Sequence, residues 1–188
     1  MTYRLRRMLA ALAALVFISE AKAGDGAICE RYMTQTAAAE GVPLGVLYAV
    51  GLTETGRKGS LHPYALNITG RTVITRSKQE AMAAFAKARK QGHTLIDLGC
   101  MQVNHHYHGD QFRSPADMLD PPQNITYAAR FLKRLRTQEG SWTMAVARYH
   151  AGPDNNPAQK RYICAVIRNL VATGFGNWTS ASRAFCRS

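Results

Sequence analysis

Glu54 is the residue whose type and position most directly suggest chemistry. It lies in the run PLGVLYAVGLTETG, which has a proline suited to the first turn of a helix and a glycine suited to its end. On such a helix Glu54 shares one face with Leu47, Val50 and Gly51, so its carboxyl should be partly desolvated and close to the negative end of the helix dipole. Both effects favour the neutral form that a general acid needs. The alternative is a solvated glutamate at a frayed helix end.

Four histidines suggest a second kind of chemistry. His105, His106 and His108 are close in sequence and His150 follows at a distance. Imidazoles at such spacings are able to bind zinc, but the chain has no H-E-x-x-H pattern, and three ligands would need fixed tetrahedral directions. A solvated turn, or a turn that lines a cleft, is the simpler interpretation, and we predict no metal site.

Helical patterns dominate the segments that must position these groups. Small or apolar residues recur at helical spacing in residues 29–41, 43–56, 77–92, 120–140, 141–149 and 157–173, the last predicted helix. Residues 65–75, around Asn67-Ile68-Thr69-Gly70, are interpreted as a hairpin, and residues 95–104 are also non-helical. The sequence therefore predicts a mostly α domain with a small β-hairpin and no interdomain linker.

The first 23 residues have the organisation of a secretory signal. Arg4, Arg6 and Arg7 precede an apolar stretch, residues 8–18, and a small-residue cleavage site, Ala21-Lys22-Ala23. The apolar stretch is too short to span a bilayer. We therefore expect a signal peptide at 1–23, a single domain at 24–188, a periplasmic location and no transmembrane anchor.

The chain is strongly basic, with a formal net charge of +12. The predicted signal segment holds four basic side chains and one acidic one, so its removal leaves 165 residues with a charge of +9. Such a surface attracts nucleic acid, anionic lipid and acidic cell-wall polymers alike. Export favours the cell wall, and we predict no nucleic-acid partner.

Four cysteines remain after the signal segment: Cys29, Cys100, Cys164 and Cys186. An even number in an oxidising compartment predicts two disulfides. Of the three possible pairings we favour Cys164 with Cys186, which would pin the C-terminal tail to the preceding helix. Buried free thiols are the alternative, particularly for Cys100 in its apolar segment.

Three segments together resemble the soluble lytic transglycosylase family. The Glu-Ser or Glu-Thr step that ends the family's acid helix is matched by Leu52-Thr53-Glu54-Thr55-Gly56. Its Gly-Leu-Met-Gln motif corresponds to Gly99-Cys100-Met101-Gln102, and its Ala-Tyr-Asn-Ala-Gly motif to Arg148-Tyr149-His150-Ala151-Gly152. The resemblance covers roughly residues 29–170. Cys100, Arg148 and His150 depart from the family pattern.

The resemblance implies a goose-lysozyme-like helical fold and cleavage of the bond between N-acetylmuramic acid and N-acetylglucosamine in peptidoglycan. Glu54 would be the sole general acid and base, no cofactor would be needed, and the product would carry 1,6-anhydromuramic acid. The Tyr-His step of the third motif, and a hairpin at 63–80, are similar to the branch associated with secretion, conjugation and flagellar machines. The protein would then act as a monomer on glycan strands beside such a machine.

The resemblance also implies a set of substrate-binding residues: Thr55, Gly99, Met101, Gln102, Tyr149 and His150. Several have alternative interpretations in terms of structure alone. Thr55 could bond the preceding helical turn, Tyr149 could anchor its helix through a nearby carbonyl, and Met101 could be a core residue like Val103. Gln102 lies between Met101 and Val103 on an extended segment, so its side chain should point the opposite way from theirs, toward a cleft.

Two other functions remain open. A two-carboxylate hydrolase of the lysozyme type would pair Glu54 with Asp97, which immediately precedes the second motif, or with Asp110. Asp97 could instead be only a polar anchor for the loop. A non-catalytic wall-binding module would keep the fold without the reaction, but a carboxyl on a buried helix face is then hard to explain.

Overall fold

The computed structural model describes residues 26–56, 60–152 and 156–187; the predicted signal segment lies outside them. The helices of these residues are α1 (Gly26–Glu40), α2 (Leu44–Thr55), α3 (Lys78–Lys90), α4 (His105–His108), α5 (Pro115–Met118), α6 (Pro121–Glu139), α7 (Trp142–Ala151), α8 (Asn156–Ala172) and α9 (Ser180–Arg187), with a 3-10 turn at Gly109–Gln111. The strands are β1 (Ala65–Ile68), β2 (Arg71–Ile74), β3 (Ile96–Leu98) and β4 (Val103–Asn104). In this part of the chain no helix has the length and apolar character needed to cross a membrane.

The six predicted helices are all present, and their ends follow the expected capping chemistry. At the start of α3 the Ser77 hydroxyl accepts a hydrogen bond from the backbone N–H of Glu80, at 3.1 Å. The Glu80 carboxylate reaches back to the N–H of Arg76, one residue earlier than in a standard capping box. Gly140 ends α6 in the left-handed conformation, with φ of 76°.

Helix α9 was not predicted, and residues 157–173 are therefore not the last helix. Thr179 and Ser182 cap α9 reciprocally. The N–H of Ser182 donates to Oγ1 of Thr179 at 3.0 Å, and the N–H of Thr179 donates to Oγ of Ser182 at 2.9 Å. This serine version of the capping box is less distinctive in sequence than the glutamate version, and α9 buries no residue fully.

Helix α2 lies at the centre of the domain and packs against α1 and α8. Leu47, Ala49 and Val50 are fully buried. Gly51 permits a close approach, since a Cβ at this position would lie 2.5 Å from the Cε atom of Met33 on α1. The predicted inward face of α2 is thus confirmed. Glu54 lies near the C-terminal end of this helix, where the helix reaches the edge of the domain.

The predicted hairpin is part of a four-stranded antiparallel sheet with the order β2-β1-β3-β4. Its β1–β2 turn is closed by Asn67, whose side-chain oxygen accepts a hydrogen bond from the N–H of Gly70 at 2.8 Å. Strands β3 and β4 are paired at Leu98 and Val103. The second motif, which lies between these two residues, therefore forms a tight turn. The mostly α fold with a small sheet agrees with the sequence prediction.

Two disulfides join the four cysteines. Cys164 and Cys186 are bonded, as predicted, with their Cα atoms 5.7 Å apart, and they attach α9 to α8. The second bond joins Cys29 of α1 to Cys100, across 71 residues of sequence. Cys100 is fully buried, but it is not the free thiol of the alternative interpretation.

Candidate active site

A cleft between the sheet and the helices collects most of the predicted functional groups. Its lining comes from α2, the sheet, α4, α6 and α7, and comprises Glu54, Asn67, Asp97, Gln102, Val103, Asn104, Tyr107, His108, Tyr127, Phe131, Tyr149 and His150. Four of the seven predicted site residues are in this lining: Glu54, Gln102, Tyr149 and His150. Each is held there by contacts that the structure makes explicit.

The carboxylate of Glu54 lies at the end of α2 and is 15 % exposed. Its Oε1 atom accepts a hydrogen bond from the hydroxyl of Tyr162, at 2.5 Å, and lies 3.8 Å from Nδ1 of His150. Within the described residues, Oε2 accepts no hydrogen bond. A proton carried by Glu54 therefore resides on Oε2, because Oε1 already serves as the acceptor.

Tyr162 of α8 is the closest partner of Glu54. Burial, together with the negative charge of Glu54, raises the pKa of the Tyr162 hydroxyl well above its ordinary range. The hydroxyl thus stays protonated at physiological pH and donates to Glu54. The ring stacks on that of His150, with centroids 4.2 Å apart and an angle of 5° between planes, which fixes both side chains beside the carboxylate.

The second motif, residues 99–102, forms a tight turn, which we call the motif turn. Its backbone is held by hydrogen bonds and packing from neighbouring elements. Gly99 adopts φ of +80°, and a Cβ there would lie 2.7 Å from Nδ2 of Asn124, so only glycine fits. Asn124 of α6 is fully buried. Its amide donates to the carbonyls of Leu98 and Met118, both at 2.8 Å, and its oxygen accepts from the N–H of Met101 at 2.9 Å.

Gln102 follows in the same turn and is a non-glycine residue with positive φ, +45°. Its side chain is held in place by two hydrogen bonds from Nε2, to the carbonyl of Gly99 at 2.9 Å and to that of Ala65 at 3.1 Å. These bonds use both N–H groups of the amide. The carbonyl oxygen of the side chain is left as its acceptor for a ligand in the cleft.

Tyr149 connects α7 to the motif turn. Its hydroxyl donates to the carbonyl of Met101 at 2.8 Å, as the alternative interpretation expected, while its ring lines the cleft together with Glu54. Burial is the main reason that the pKa of this hydroxyl is raised well above its usual value, with Glu54 adding to the effect. The hydroxyl therefore anchors the turn and stays protonated.

Thr55, Gly99 and Met101 lie beneath the cleft. Thr55 is 6 % exposed, and its hydroxyl lies 3.2 Å from the carbonyl oxygen of Gly51 and 3.1 Å from that of Cys100. The side chain of Met101 is fully buried against α2. The Thr55 hydroxyl and the Met101 side chain therefore face the interior and not the cleft. Binding of the sugar by backbone groups of Gly99 and Met101 stays a prediction.

Asp97 lines the same cleft as Glu54. In the sheet register it lies opposite Asn67 on one side and Asn104 on the other, so three polar side chains form a row across β1, β3 and β4. Burial raises the pKa of Asp97 to about 6, against a hydrogen bond of 2.6 Å from the Asn104 amide. The nearby charge of Glu54 raises it further, and that of His150 lowers it. Asp110, the other candidate carboxylate, is exposed and outside the cleft.

Aromatic rings form the wall of the cleft opposite the sheet. Tyr107 is 69 % exposed and lines the cleft. His108 lies 2.9 Å, through Nδ1, from the hydroxyl of Tyr127, and burial, with the charge of Arg134, lowers its pKa. His105 packs edge-on against Phe85 instead.

Across residues 26–56, 60–152 and 156–187, no group of three or more His, Cys, Asp or Glu side chains is arranged to hold a metal ion.

Two important residues were not recognised from the sequence. Tyr162 lies in the helix predicted at 157–173 and is 5 % exposed, but no functional role was predicted for it, and its hydroxyl meets Glu54. Asn124 was not considered for the site. Both residues place a polar group at an inward-facing helix position. Because a buried hydroxyl or amide needs a hydrogen-bond partner, this pattern was the signal by which the sequence could have identified them.

Comparison with known families gives a match over most of the chain. Residues 31–166 match the family model described as Transglycosylase SLT domain. Neither a curated protein nor a solved structure matches the chain significantly. The matched range contains all three motifs and also Asn124 and Tyr162, so the whole cleft belongs to the matched domain.

Proposed function

The chain belongs to the transglycosylase SLT domain family, whose members cleave peptidoglycan, and on that basis we propose a lytic transglycosylase that uses Glu54 as its only general acid and base. The proposed substrate bond joins N-acetylmuramic acid to N-acetylglucosamine, and the proposed product ends in 1,6-anhydromuramic acid. The observation that carries the proposal is the partly buried carboxyl of Glu54, held through one oxygen by Tyr162 at the cleft that the motif turn also lines.

In the first step, neutral Glu54 donates the proton on Oε2 to the glycosidic oxygen as the bond from that oxygen to the anomeric carbon breaks. The oxygen of the muramic acid's own acetamido group attacks the anomeric carbon and closes an oxazolinium ring. This substrate assistance replaces the second carboxylate of ordinary glycosidases. The hydrogen bond from Tyr162 to Oε1 stabilises the carboxylate that the step produces.

In the second step, ionised Glu54 accepts the proton of the sugar's 6-hydroxyl. The 6-oxygen attacks the anomeric carbon, the oxazolinium ring opens to restore the acetamido group, and the 1,6-anhydro ring forms. No water is consumed, and Glu54 ends the cycle neutral, as it began. One carboxyl thus serves as acid and then as base.

The motif turn is suited to holding the acetamido group in place. The side-chain oxygen of Gln102 accepts no hydrogen bond from the described residues, and the amide nitrogen is fixed by the carbonyls of Gly99 and Ala65. It therefore presents an acceptor whose direction is set before the substrate binds. In the proposed complex it accepts a hydrogen bond from an N–H or hydroxyl of the sugar. His150 lines the same cleft, next to Glu54.

The test compares wild type with Glu54→Gln on purified sacculi, with the released fragments identified by mass. We expect anhydro-ended muropeptides from wild type and none from Glu54→Gln, whose amide is nearly the same size but cannot exchange the proton. Asp110→Asn, an exposed carboxylate outside the cleft, is the matched control and should keep full activity. Fragments heavier by one water would contradict transglycosylation, and release of no soluble product by wild type would indicate a binding module.

Hydrolysis is a second candidate because Asp97 shares the cleft and interacts electrostatically with Glu54. A lysozyme-type reaction would need Asp97 ionised as nucleophile or base, and would add water to the anomeric carbon. Asp97→Asn separates the two functions. A transglycosylase should still form anhydro ends with this variant, whereas a hydrolase that depends on Asp97 should release almost no product.

We further propose that the protein is exported to the periplasm and acts there as a monomer beside an envelope-spanning machine. The basic signal-like start and the Tyr-His step at Tyr149-His150 support these proposals. N-terminal sequencing of the protein from a periplasmic extract should give Gly24 as the first residue. A chain that keeps its first 23 residues in that extract would contradict export with cleavage.

A further inference from the structure

One face of α6 forms the wall of the cleft and ends in a positive charge. Asn124, Tyr127, Phe131 and Arg134 recur at spacings of three, four and three residues and so lie on the same side of the helix. At 1.5 Å per residue this face spans about 15 Å. It begins at the amide that holds the motif turn, continues through two rings that line the cleft, and ends at Arg134.

The guanidinium of Arg134 is held against this wall. It lies over the rings of Tyr127 and Phe131, 5.9 and 5.5 Å from their centroids, and its charge contributes to lowering the pKa of the neighbouring His108. Among the described residues, no acidic side chain lies within ion-pair distance of it. By contrast, Arg130, one turn earlier, is paired with Glu40 at 2.8 Å. The Arg134 side chain is also hydrogen-bonded to that of Tyr127. Arg134 is thus a positioned cation whose charge no acidic side chain of the described residues neutralises.

The charges of the cleft are separated in space. The carboxylates of Glu54 and Asp97 belong to the side formed by α2 and the sheet, whereas Arg134 adjoins the rings of α6. The sugar rings of a peptide-substituted glycan are uncharged, so they can accept hydrogen bonds from a guanidinium but provide no ion-pair partner for it. The carboxylates of such a substrate are on the peptide that branches from the lactyl group of muramic acid.

Arg134 also lines a second groove. This groove lies between α1 and α6 and is lined by Glu40, Arg130, Lys133, Arg134 and Thr137. Arg134 therefore borders both the aromatic wall of the cleft and the side groove. Lys133 crosses the groove to the carbonyl of Glu40 at 2.7 Å, which joins the two helices beneath it.

We propose that Arg134 binds a carboxylate of the stem peptide, with the glycan in the cleft and the peptide directed toward the groove between α1 and α6. This inference rests on the proposed function and specifies its substrate as peptide-bearing glycan. The guanidinium is suited to this role because its planar N–H groups match a carboxylate, and stacking on two rings reduces the freedom it loses on binding.

The test measures kcat and KM for Arg134→Gln on two substrates: soluble, uncross-linked glycan strands with their stem peptides, and the same strands after an amidase has removed the peptides. On peptide-bearing strands we expect KM to rise about three- to tenfold with kcat nearly unchanged, as for loss of a charge-assisted contact at a cleft rim. On stripped strands, which keep only the lactyl carboxylate, the variant should equal wild type. Arg134→Lys should recover part of the affinity, because it keeps the charge.

Arg168→Gln is the matched control, since Arg168 is an exposed arginine that lines a groove beside α9, away from the cleft. It should change neither substrate. An equal loss on both substrates would assign Arg134 to the lactyl carboxylate or to general stability, and no loss on either would remove it from binding; both results overturn the proposal.

Binding measured in the Glu54→Gln background separates this inference from the proposed function. If wild type cleaves neither substrate, but Arg134→Gln still weakens binding to peptide-bearing strands only, the peptide site stands and the proposed reaction fails. If Arg134→Gln changes the affinity for peptide-bearing strands and for stripped strands by the same factor, the peptide site fails whatever the reaction is.

Discussion

The hydroxyl of Tyr162 lies 2.5 Å from Oε1 of Glu54, although the two residues are 108 positions apart in sequence. One comes from α8 and the other from the end of α2, and these helices pack directly against each other. The hydrogen bond therefore ties the orientation of the carboxylate to the packing of two central helices. It also leaves Oε2 as the oxygen that would exchange the proton in the proposed reaction.

Tyr162→Phe should reduce kcat on peptidoglycan while the protein remains folded, because the ring and its stacking on His150 are kept. A hydrogen bond to a charged group contributes about 1.5–3 kcal/mol, which corresponds to a roughly ten- to hundredfold fall in rate. The measurement is kcat for anhydro-product release, with thermal unfolding as the check on folding. Tyr48→Phe removes a hydroxyl from a half-buried ring on α2 outside the cleft lining and should have no such effect. Equal rates for Tyr162→Phe and wild type would show that the contact is not used in the reaction.

Asn124→Ala should destabilise the protein more than an ordinary polar substitution. The change removes three hydrogen bonds and leaves the carbonyls of Leu98 and Met118 and the N–H of Met101 without this partner in the interior. Buried groups left in this way cost about 1–3 kcal/mol each, and a single substitution seldom costs more than about 5 kcal/mol, so we expect a loss of roughly 3–5 kcal/mol in the free energy of unfolding. Urea unfolding measures it.

Gln123→Ala is the control for Asn124→Ala, one residue earlier on α6. Gln123 is exposed and its amide only bridges Asp117 and Asp120 at the helix start. It should change stability by less than about 0.5 kcal/mol. A similar small effect for Asn124→Ala would mean that the motif turn holds its shape without the asparagine.

The position of Glu54, the proposed general acid, and the ends of its helix were predictable from the sequence because those features are local. The apolar positions around Leu47 and the proline and glycine at either end of α2 act within a few residues of Glu54, and capping at Ser77 and Gly140 is local in the same way. Such signals depend on backbone geometry that neighbouring residues determine, so they can be interpreted without knowledge of the fold.

The partners of the site were not predictable in this way because they depend on tertiary packing. Tyr162 has the spacing of a core residue, and nothing local distinguishes a tyrosine that meets Glu54 from one that meets a backbone carbonyl. The Cys29–Cys100 pair is similar, since its 71-residue separation carries no geometric information. Only the Cys164–Cys186 pair, at the two ends of one short segment, was within reach of sequence reasoning.

Loss of the Cys29–Cys100 disulfide should affect substrate binding as well as stability. The bond attaches α1 to the motif turn, and the carbonyl of Cys100 also lies 3.1 Å from the hydroxyl of Thr55. Replacing both cysteines by alanine should lower the free energy of unfolding by about 2–5 kcal/mol. It should also raise KM, because the turn that carries Gln102 is then held by fewer constraints. Urea unfolding and steady-state kinetics measure the two effects.

The double replacement Cys164→Ala and Cys186→Ala is the control, because it removes a disulfide that attaches only α9. It should lower stability but leave KM close to that of wild type when both proteins are assayed well below their unfolding temperatures. The same rise of KM in both double variants would attribute the effect to general loosening and not to the motif turn.

Asp97 should make the stability of the protein depend on pH. Burial raises its pKa from 3.8 to about 6, so between these values the folded state holds a proton that the unfolded state releases. The stability associated with the neutral carboxyl is therefore complete below pH 3.8 and is lost as the pH rises through about 6. Above that pH, the folded protein carries a partly buried charge.

Asp97→Asn should remove this pH dependence, because the amide stays neutral and its oxygen can still accept the hydrogen bond from Asn104. We expect the variant to be more stable than wild type by roughly 1–2 kcal/mol at pH 8, after allowance for solvent screening, and equal to it near pH 4. Urea unfolding between pH 4 and 8 gives both curves, and Asp110→Asn, which neutralises an exposed carboxylate, should run parallel to wild type. A difference between Asp97→Asn and wild type that stays constant with pH would mean that the Asp97 carboxyl ionises in the folded protein as it does in the unfolded chain.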